Sequence, residues 1–128
     1  MTEIITALMV SPGKHPVITQ LCDDGEYLNL AVSIDDPFSV HCAESRVLDG
    51  DVVALCARQS SALDLDSNRR VGKRILSGTF YIVGVKDGNL RSLCAAEIAK
   101  YTSRFWDPEL FTEDEVIDSW FDGLFLAF

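Results

Sequence analysis

The dipeptide Asp49-Gly50 lies between two runs of strand-forming residues, 39–48 and 51–58. Asp-Gly is favoured at the centre of a two-residue type I′ hairpin turn, because both central residues must adopt positive φ. A turn there sets Val47 opposite Val52, Ala43 opposite Cys56 and Cys42 opposite Ala57. Strand side chains alternate between faces, so this register sends Cys42 and Cys56 to opposite sides of the sheet. In that geometry they can neither bridge nor share a metal. Any fold for this chain has to be built around an antiparallel hairpin near its middle.

Other segments extend that hairpin into a sheet. Residues 3–10 read as an opening strand, which Ser11-Pro12-Gly13-Lys14-His15-Pro16 then breaks, and residues 17–21 form a second short strand. Residues 75–85 read as one long strand with Gly78 inside it at a bulge. Residues 60–68 read as an exposed loop, and Asp87-Gly88-Asn89 marks a further turn.

Three helices are expected over the sheet. Asp23-Asp24-Gly25 followed by Leu28, Ala31 and Val32 favours a short helix over residues 25–33, although Tyr27-Leu28 and Val32-Ser33-Ile34 also fit a strand. A second helix over 95–105 carries Ile98, Tyr101 and Phe105 on one face, and Pro108 prevents its continuation. The third, over 113–122, opens with a capping box of Thr112 and Glu115 inside a hydrophobic staple of Phe111 and Val116. Gly123 is expected to end it, leaving the apolar tail 124–128. The expected fold is one α+β domain, a mainly antiparallel sheet with about three covering helices.

A chain of 128 residues with 48% hydrophobic content can bury a full core. Charged residues interrupt every long apolar run, which argues against a membrane span. Glu3 stands where a secretory signal needs positive charge, so a cytoplasmic location is expected. Cys22, Cys42, Cys56 and Cys94 show no paired spacing of the kind structural zinc uses, and they read as small buried hydrophobes. Adjacent His41 and Cys42 on a strand would face opposite ways. Gly-x-Gly-x-x-Gly, Walker, Gly-x-Ser-x-Gly and His-Glu-x-x-His motifs are all absent, so neither catalytic nor metal-binding residues, and no cofactor, are expected.

Charge is the remaining signal. The formal charge of -9 is concentrated after Arg104, in Asp107, Glu109, Glu113, Asp114, Glu115, Asp118 and Asp122, among Trp106, Phe111, Trp120, Phe121, Phe125 and Phe128. Helix acids in water and helix rings in the core explain much of that pattern. The same residues also suit a surface with aromatic anchors and an acidic rim, steering a basic protein partner. Against this background Arg69, Arg70, Lys73 and Arg74 form a basic cluster that would suit phosphates. Asp64 and Asp66 lie just upstream, and no aromatic residue interleaves with the cluster to stack on bases, so charge balance within the protein is the simpler reading.

Several short motifs, taken in order, resemble domain-of-unknown-function family 3846, small domains from phages, plasmids and bacterial genomes. They are Ser11-Pro12-Gly13-Lys14-His15-Pro16, then Val53-Ala54-Leu55-Cys56 and Asn68-Arg69. Gly78-Thr79-Phe80-Tyr81-Ile82-Val83-Gly84 and Ser92-Leu93-Cys94-Ala95-Ala96-Glu97-Ile98-Ala99-Lys100-Tyr101 complete the series. Cys94 stands where the family's helix often carries a Ser or Thr cap. The resemblance covers residues 5–105 and implies a small α/β domain and a mobile-element context; the domain is expected over 1–105, with 106–128 as an acidic, aromatic helical extension packed on it. It implies no activity. The functional expectation is a non-enzymatic phage or mobile-element accessory protein that binds a host protein with a basic surface. An anti-defence inhibitor, anti-CRISPR or anti-restriction, acting as a DNA mimic is one form of it. The alternative is a nucleic-acid-binding regulator using the cluster at 69–74.

Overall fold

The uncharged run Phe80-Tyr81-Ile82-Val83-Gly84-Val85 can pair on both edges and bury both faces, and it forms the spine of the sheet. The computed structural model describes residues 3–23, 28–30, 43–57, 66–87 and 89–125. In chain order the strands are β1 (Glu3–Val10), β2 (Val17–Asp23), β3 (Leu28–Leu30), β4 (Ala43–Asp49) and β5 (Val52–Ala57). They continue with β6 (Ser67–Val71), β7 (Arg74–Ser77), β8 (Phe80–Lys86) and β9 (Asn89–Arg91), before helices α1 (Ala95–Arg104) and α2 (Glu113–Phe125).

The main sheet runs β3-β2-β1-β8-β5-β4 and is antiparallel throughout. Strand β1 pairs only with residues 80–82 of β8, and β9 takes the same edge over residues 84–86. Beyond β9 the chain rejoins β1, with the Leu93 amide donating to the Thr6 carbonyl at 3.0 Å.

Alternation along the three central strands divides the core in two. Leu8, Val10, Val52, Ala54, Phe80 and Ile82 face the side that carries Tyr101, Phe105 and Val116. Ile5, Ala7, Val53, Leu55, Tyr81 and Val83 form a second buried cluster on the opposite face. A separate hairpin of β6 and β7 lies on the helical side, where Ile75 and Leu76 are both buried.

The sheet class is as expected, with five differences of detail. Among the described residues there are two helices, and part of the expected helix at 25–33 is instead β3, paired with β2 through Leu21–Leu30 and Asp23–Leu28. Strand-compatible side chains beside an open edge outweighed the helical spacing; the rest of that segment, with Tyr27, Ala31 and Val32, lies outside the described residues.

The expected strand over 75–85 is two strands in different sheets. Gly78, at φ 73°, turns the chain out of β7 and into β8, a corner where only glycine is unstrained. Residues 67 and 68 of the expected loop belong to β6. Gly123 sits inside α2, which continues to Phe125 rather than ending at the glycine.

The hairpin at Asp49-Gly50 forms, but Asp49 pairs with Val52 and the turn residues are Gly50 and Asp51. A bulge at Leu48 then places Val47 opposite Val53, Ala43 opposite Ala57 and Glu44 opposite Cys56. Neither Gly50 nor Asp51 has positive φ, so the turn is not type I′. Positive φ occurs instead at Asp87 in the β8–β9 turn and at Gly72 in the β6–β7 turn. Cys42 lies outside the described residues.

Both helix starts are held by side chains. At α2 the Thr112 amide donates to Glu115 Oε1 (3.0 Å) and the Glu115 amide donates to Thr112 Oγ1 (3.2 Å), closing the expected box. Phe111 and Val116 of the staple both join the helical-side core. At α1 the Cys94 amide donates to Glu97 Oε1 (2.9 Å), and that carboxylate also takes both terminal nitrogens of Arg91 at 2.8 and 2.9 Å. Arg91 reaches Asp51 as well (2.9 Å), and its side chain lies directly over Gly84.

The Arg91 guanidinium, with the Cys94 amide second, holds the Glu97 carboxyl down at about 2, against an ordinary 4.5. A carboxylate depressed by folding stabilises fully above its unfolded value, and that stabilisation is lost as the pH falls. Urea midpoints should therefore drop between pH 4.5 and 2, and Glu97→Gln should flatten that part of the profile. A Cβ at Gly84 would come within 2.4–2.6 Å of Arg91. Gly84→Ala should thus displace the arginine and lower unfolding free energy by about 1–3 kcal/mol, measured by denaturant titration.

Candidate functional site

The Asn68-Arg69 pair sits at a bulge in β6, between the Ser67–Ser77 and Arg69–Leu76 pairings. An extra residue in one strand lets two neighbours turn the same way, and both side chains are fully buried, at 0% exposure. Asn68 Nδ2 donates to the carbonyls of Val10 and Gly78, each at 2.8 Å. The Arg69 guanidinium donates to the Phe105 carbonyl from Nε (3.1 Å) and Nη2 (2.9 Å), and Nη2 also meets the Lys14 carbonyl (2.6 Å). Nη1 donates to Asn68 Oδ1 at 2.7 Å and approaches the Ser11 carbonyl at 3.5 Å.

Those acceptors are aimed by local structure. Pro12 and Gly13 occupy the centre of a turn closed by the Lys14 amide on the Ser11 carbonyl (3.2 Å), and Gly13 has the positive φ (72°) that a type II turn requires. The Phe105 carbonyl projects from the C-terminal cap of α1. One buried cation thus joins the β1–β2 turn, the β6–β7 hairpin and the end of α1. Burial pushes the Arg69 guanidinium below its ordinary value, while the Glu109 and Asp107 carboxylates act to restore it. With its donors turned inward on carbonyls, Arg69 has no face to offer a nucleic-acid phosphate.

From this junction the chain leaves α1 as an ordered surface segment. His15 stacks on Trp106 with ring centres 4.0 Å apart, and its Nδ1 donates to the Trp106 carbonyl (2.6 Å). The Arg70 amide donates to Glu109 Oε2 (3.1 Å), and the Arg70 guanidinium lies 5.6 Å from the centre of the Phe111 ring. Between these attachments Leu110 is 95% exposed and Trp106 47% exposed. Beyond them Ser119 fixes α2 to the hairpin, accepting from the Ile75 amide (3.0 Å) and donating to the Val116 carbonyl (2.8 Å).

The seven acids expected to act together therefore divide. Glu115 caps α2, where the Thr112 amide and then its hydroxyl hold the carboxyl below its ordinary value. Glu109 is half-buried against Arg70. Asp107, Glu113, Asp114 and Asp118 are exposed, and the side chain of Asp122 lies outside the described residues. Arg70 and Lys73 of the basic cluster are exposed, and Arg74 is half-buried.

Lys73 and Arg74 line an open cavity of about 440 Å³ with Arg104, Gly72 and the apolar residues Val47, Leu48, Val71 and Leu76. Beside it, Asp49 at the tip of β4 accepts from Lys100 Nζ (2.7 Å) and from the Tyr101 hydroxyl. Burial, with Asp49 second, pushes the Tyr101 hydroxyl up to about 12.

Among the described residues no group of His, Cys, Asp and Glu comes together as a metal site. Cys56 is buried, whereas Cys94 is exposed at the start of α1, contrary to the expectation of burial. His41 and Cys42 lie outside the described residues, as do the Cys22 side chain and the rings of Trp120, Phe121, Phe125 and Phe128. No helix among the described residues is long and apolar enough to cross a membrane.

The architecture is that of a small α+β domain: a mostly antiparallel sheet with, among the described residues, two helices, closed by a buried Asn-Arg pair. The chain belongs to the family described as Domain of unknown function (DUF3846), whose model matches residues 5–106. Neither the curated proteins nor the solved structures contain a match. The matched span ends beside Trp106, so the exposed segment and α2 lie just beyond it.

Removing the Arg69 guanidinium strands the carbonyls of Phe105 and Lys14, and each unsatisfied buried acceptor costs about 1–3 kcal/mol. Arg69→Ala should reduce unfolding free energy by about 3 kcal/mol or more. Arg69→Lys keeps the charge but cannot fork between acceptors, so a loss of about 2 kcal/mol is expected from chemical denaturation.

Proposed function

We propose that this chain is a non-enzymatic binding protein that docks on a basic protein surface through residues 106–118. The observation that carries this reading is Leu110, almost wholly exposed between hydrogen bonds at Trp106 and Glu109 on one side and the Thr112–Glu115 cap on the other. An apolar side chain displayed on an ordered backbone loses little conformational freedom on binding, which makes it an economical anchor. Trp106 supplies a second apolar contact, and Asp107, Glu113, Asp114 and Asp118 supply negative charge nearby in the chain. The complementary partner presents an apolar pocket ringed by lysine and arginine.

Basic clefts built for nucleic acid have that chemistry. Together with the mobile-element context implied by the family resemblance, this favours an accessory protein that occupies a host defence enzyme in place of its DNA or RNA. The nucleic-acid-binding alternative is weaker, because Arg69 is committed to the interior and Arg70 lies against Phe111 and near Glu115.

Tagged protein should capture a specific partner from bacterial lysate, less well as salt rises. Leu110→Asp should weaken capture by about tenfold or more, as loss of an interface anchor does. Combined Glu113→Lys, Asp114→Lys and Asp118→Lys should do the same; both variants should remain folded, the triple variant melting slightly lower because two of its lysines oppose the α2 dipole. Undiminished capture by both would contradict the reading.

A further inference from the structure

Strand β4 closes one end of the main sheet, and among the described residues it pairs only with β5. The hydrogen bonding of β5 fixes which way the β4 backbone points. The Val85 amide donates to the Asp51 carbonyl (2.8 Å), and the β5–β8 register continues that bonded pair into Val53–Val83 and Leu55–Tyr81. Neighbouring residues of a strand direct their N–H and C=O groups to opposite sides, so Ala54 and Cys56 turn theirs towards β4. There they meet Arg46 and Glu44, whose backbone groups are thus used inside the sheet. The amides and carbonyls of Ala43, Ser45 and Val47 are left along the outer edge, where Val47 is 72% exposed.

Natural sheet edges are blunted by proline, lysine or a bulge. Residues 43–47 contain neither proline nor lysine, and the bulge at Leu48 falls beyond them, towards the turn. The edge is therefore a straight ladder of backbone groups.

We propose that two copies of the chain associate along this edge, β4 against β4, as a two-fold antiparallel pair centred on Ser45. Ser45 then exchanges backbone hydrogen bonds with its own counterpart, and Ala43 does so with Val47 of the second copy. Charge selects this register. It sets Glu44 opposite Arg46 of the second copy, and symmetry repeats the match. Both matches fall at non-hydrogen-bonded positions, where cross-strand neighbours come closest. A slip that centres the pair on residue 44 or 46 sets Glu44 against Glu44 or Arg46 against Arg46, and like charges directly opposite are destabilising. This self-complementary Glu-Ser-Arg favours a second copy over a strand of unrelated sequence. One short edge buries little surface, so the dimer is weak, with a Kd of about 10 μM to 1 mM.

Analytical ultracentrifugation across that range tests the pairing, at about 0.15 M salt so that repulsion between copies of charge -9 is screened. A reversible monomer–dimer equilibrium is expected. Ser45→Pro removes an N–H that the β4–β5 ladder does not use, and should abolish the dimer while the monomer stays folded. Glu44→Arg alone and Arg46→Glu alone set like charges opposite, and each should weaken self-association by about tenfold. Mixing those two variants, or combining both substitutions in one chain, restores opposite charges and should restore native affinity. Hydrogen exchange at the amides of Ala43, Ser45 and Val47 should be fast in dilute protein and slow in the dimer. The proposal is overturned by a monomer at every concentration, by a dimer that Ser45→Pro leaves intact, or by like-charge variants that associate as the native chain does. Slow exchange of those amides in the monomer would overturn it too, because the chain would then cover its own edge. No host partner enters these measurements, so they are separate from the capture experiments on Leu110.

Discussion

A charged guanidinium inside the protein is the constraint around which the rest of the structure is arranged. Arg69 is fully buried, and a buried cation is tolerated only when its donors are met and its charge is balanced. Backbone carbonyls of Phe105 and Lys14 meet the donors, and the nearby carboxylates of Asp107 and Glu109 oppose the cost of burial. Such a group has specific geometric demands. It fixes how the β1–β2 turn, the β6–β7 hairpin and the end of α1 meet, and Asn68 extends the fixation to Val10 and Gly78. The motifs Ser11–Pro16 and Asn68-Arg69, distant in sequence, are thus two halves of one polar junction.

This arrangement divides the molecule's charge into internal and external parts. Glu109, Glu115 and Glu97 are engaged in caps and pairings, where they order the backbone more than they colour the surface. Asp107, Glu113, Asp114 and Asp118 remain on the outside. Arg70 presses against Phe111, whereas Lys73 and Arg74 line the cavity. The basic run is therefore neither one binding loop nor uniform charge balance: neighbouring residues in it have different tasks.

Much of the sheet was legible because strand alternation and turn chemistry are local properties. The hairpin around Asp49-Gly50, the strand before Ser11-Pro12, the capping box at Thr112 and the helix bearing Tyr101 and Phe105 all lie where their residues indicate. Errors arose where tertiary context decides. The bulge at Leu48 shifts the register by one residue, β3 forms because β2 offers it an edge, and Gly78 is a corner between sheets. Least legible was Arg69. An arginine among other arginines and lysines reads as surface, and nothing local tells that a bulge will turn it inward towards carbonyls far along the chain. Leu110 carries no local signal either, since nothing in the residues around an isolated leucine fixes its exposure.

The central claim is that the Arg69 junction orders the segment that displays Leu110. Amide hydrogen exchange compared between the native protein and Arg69→Lys tests it most directly. The account predicts faster exchange confined to residues 11–15 and 105–112, with β5 and β8 still protected. Unchanged exchange in both segments would contradict it, and so would a uniform acceleration across the whole sheet.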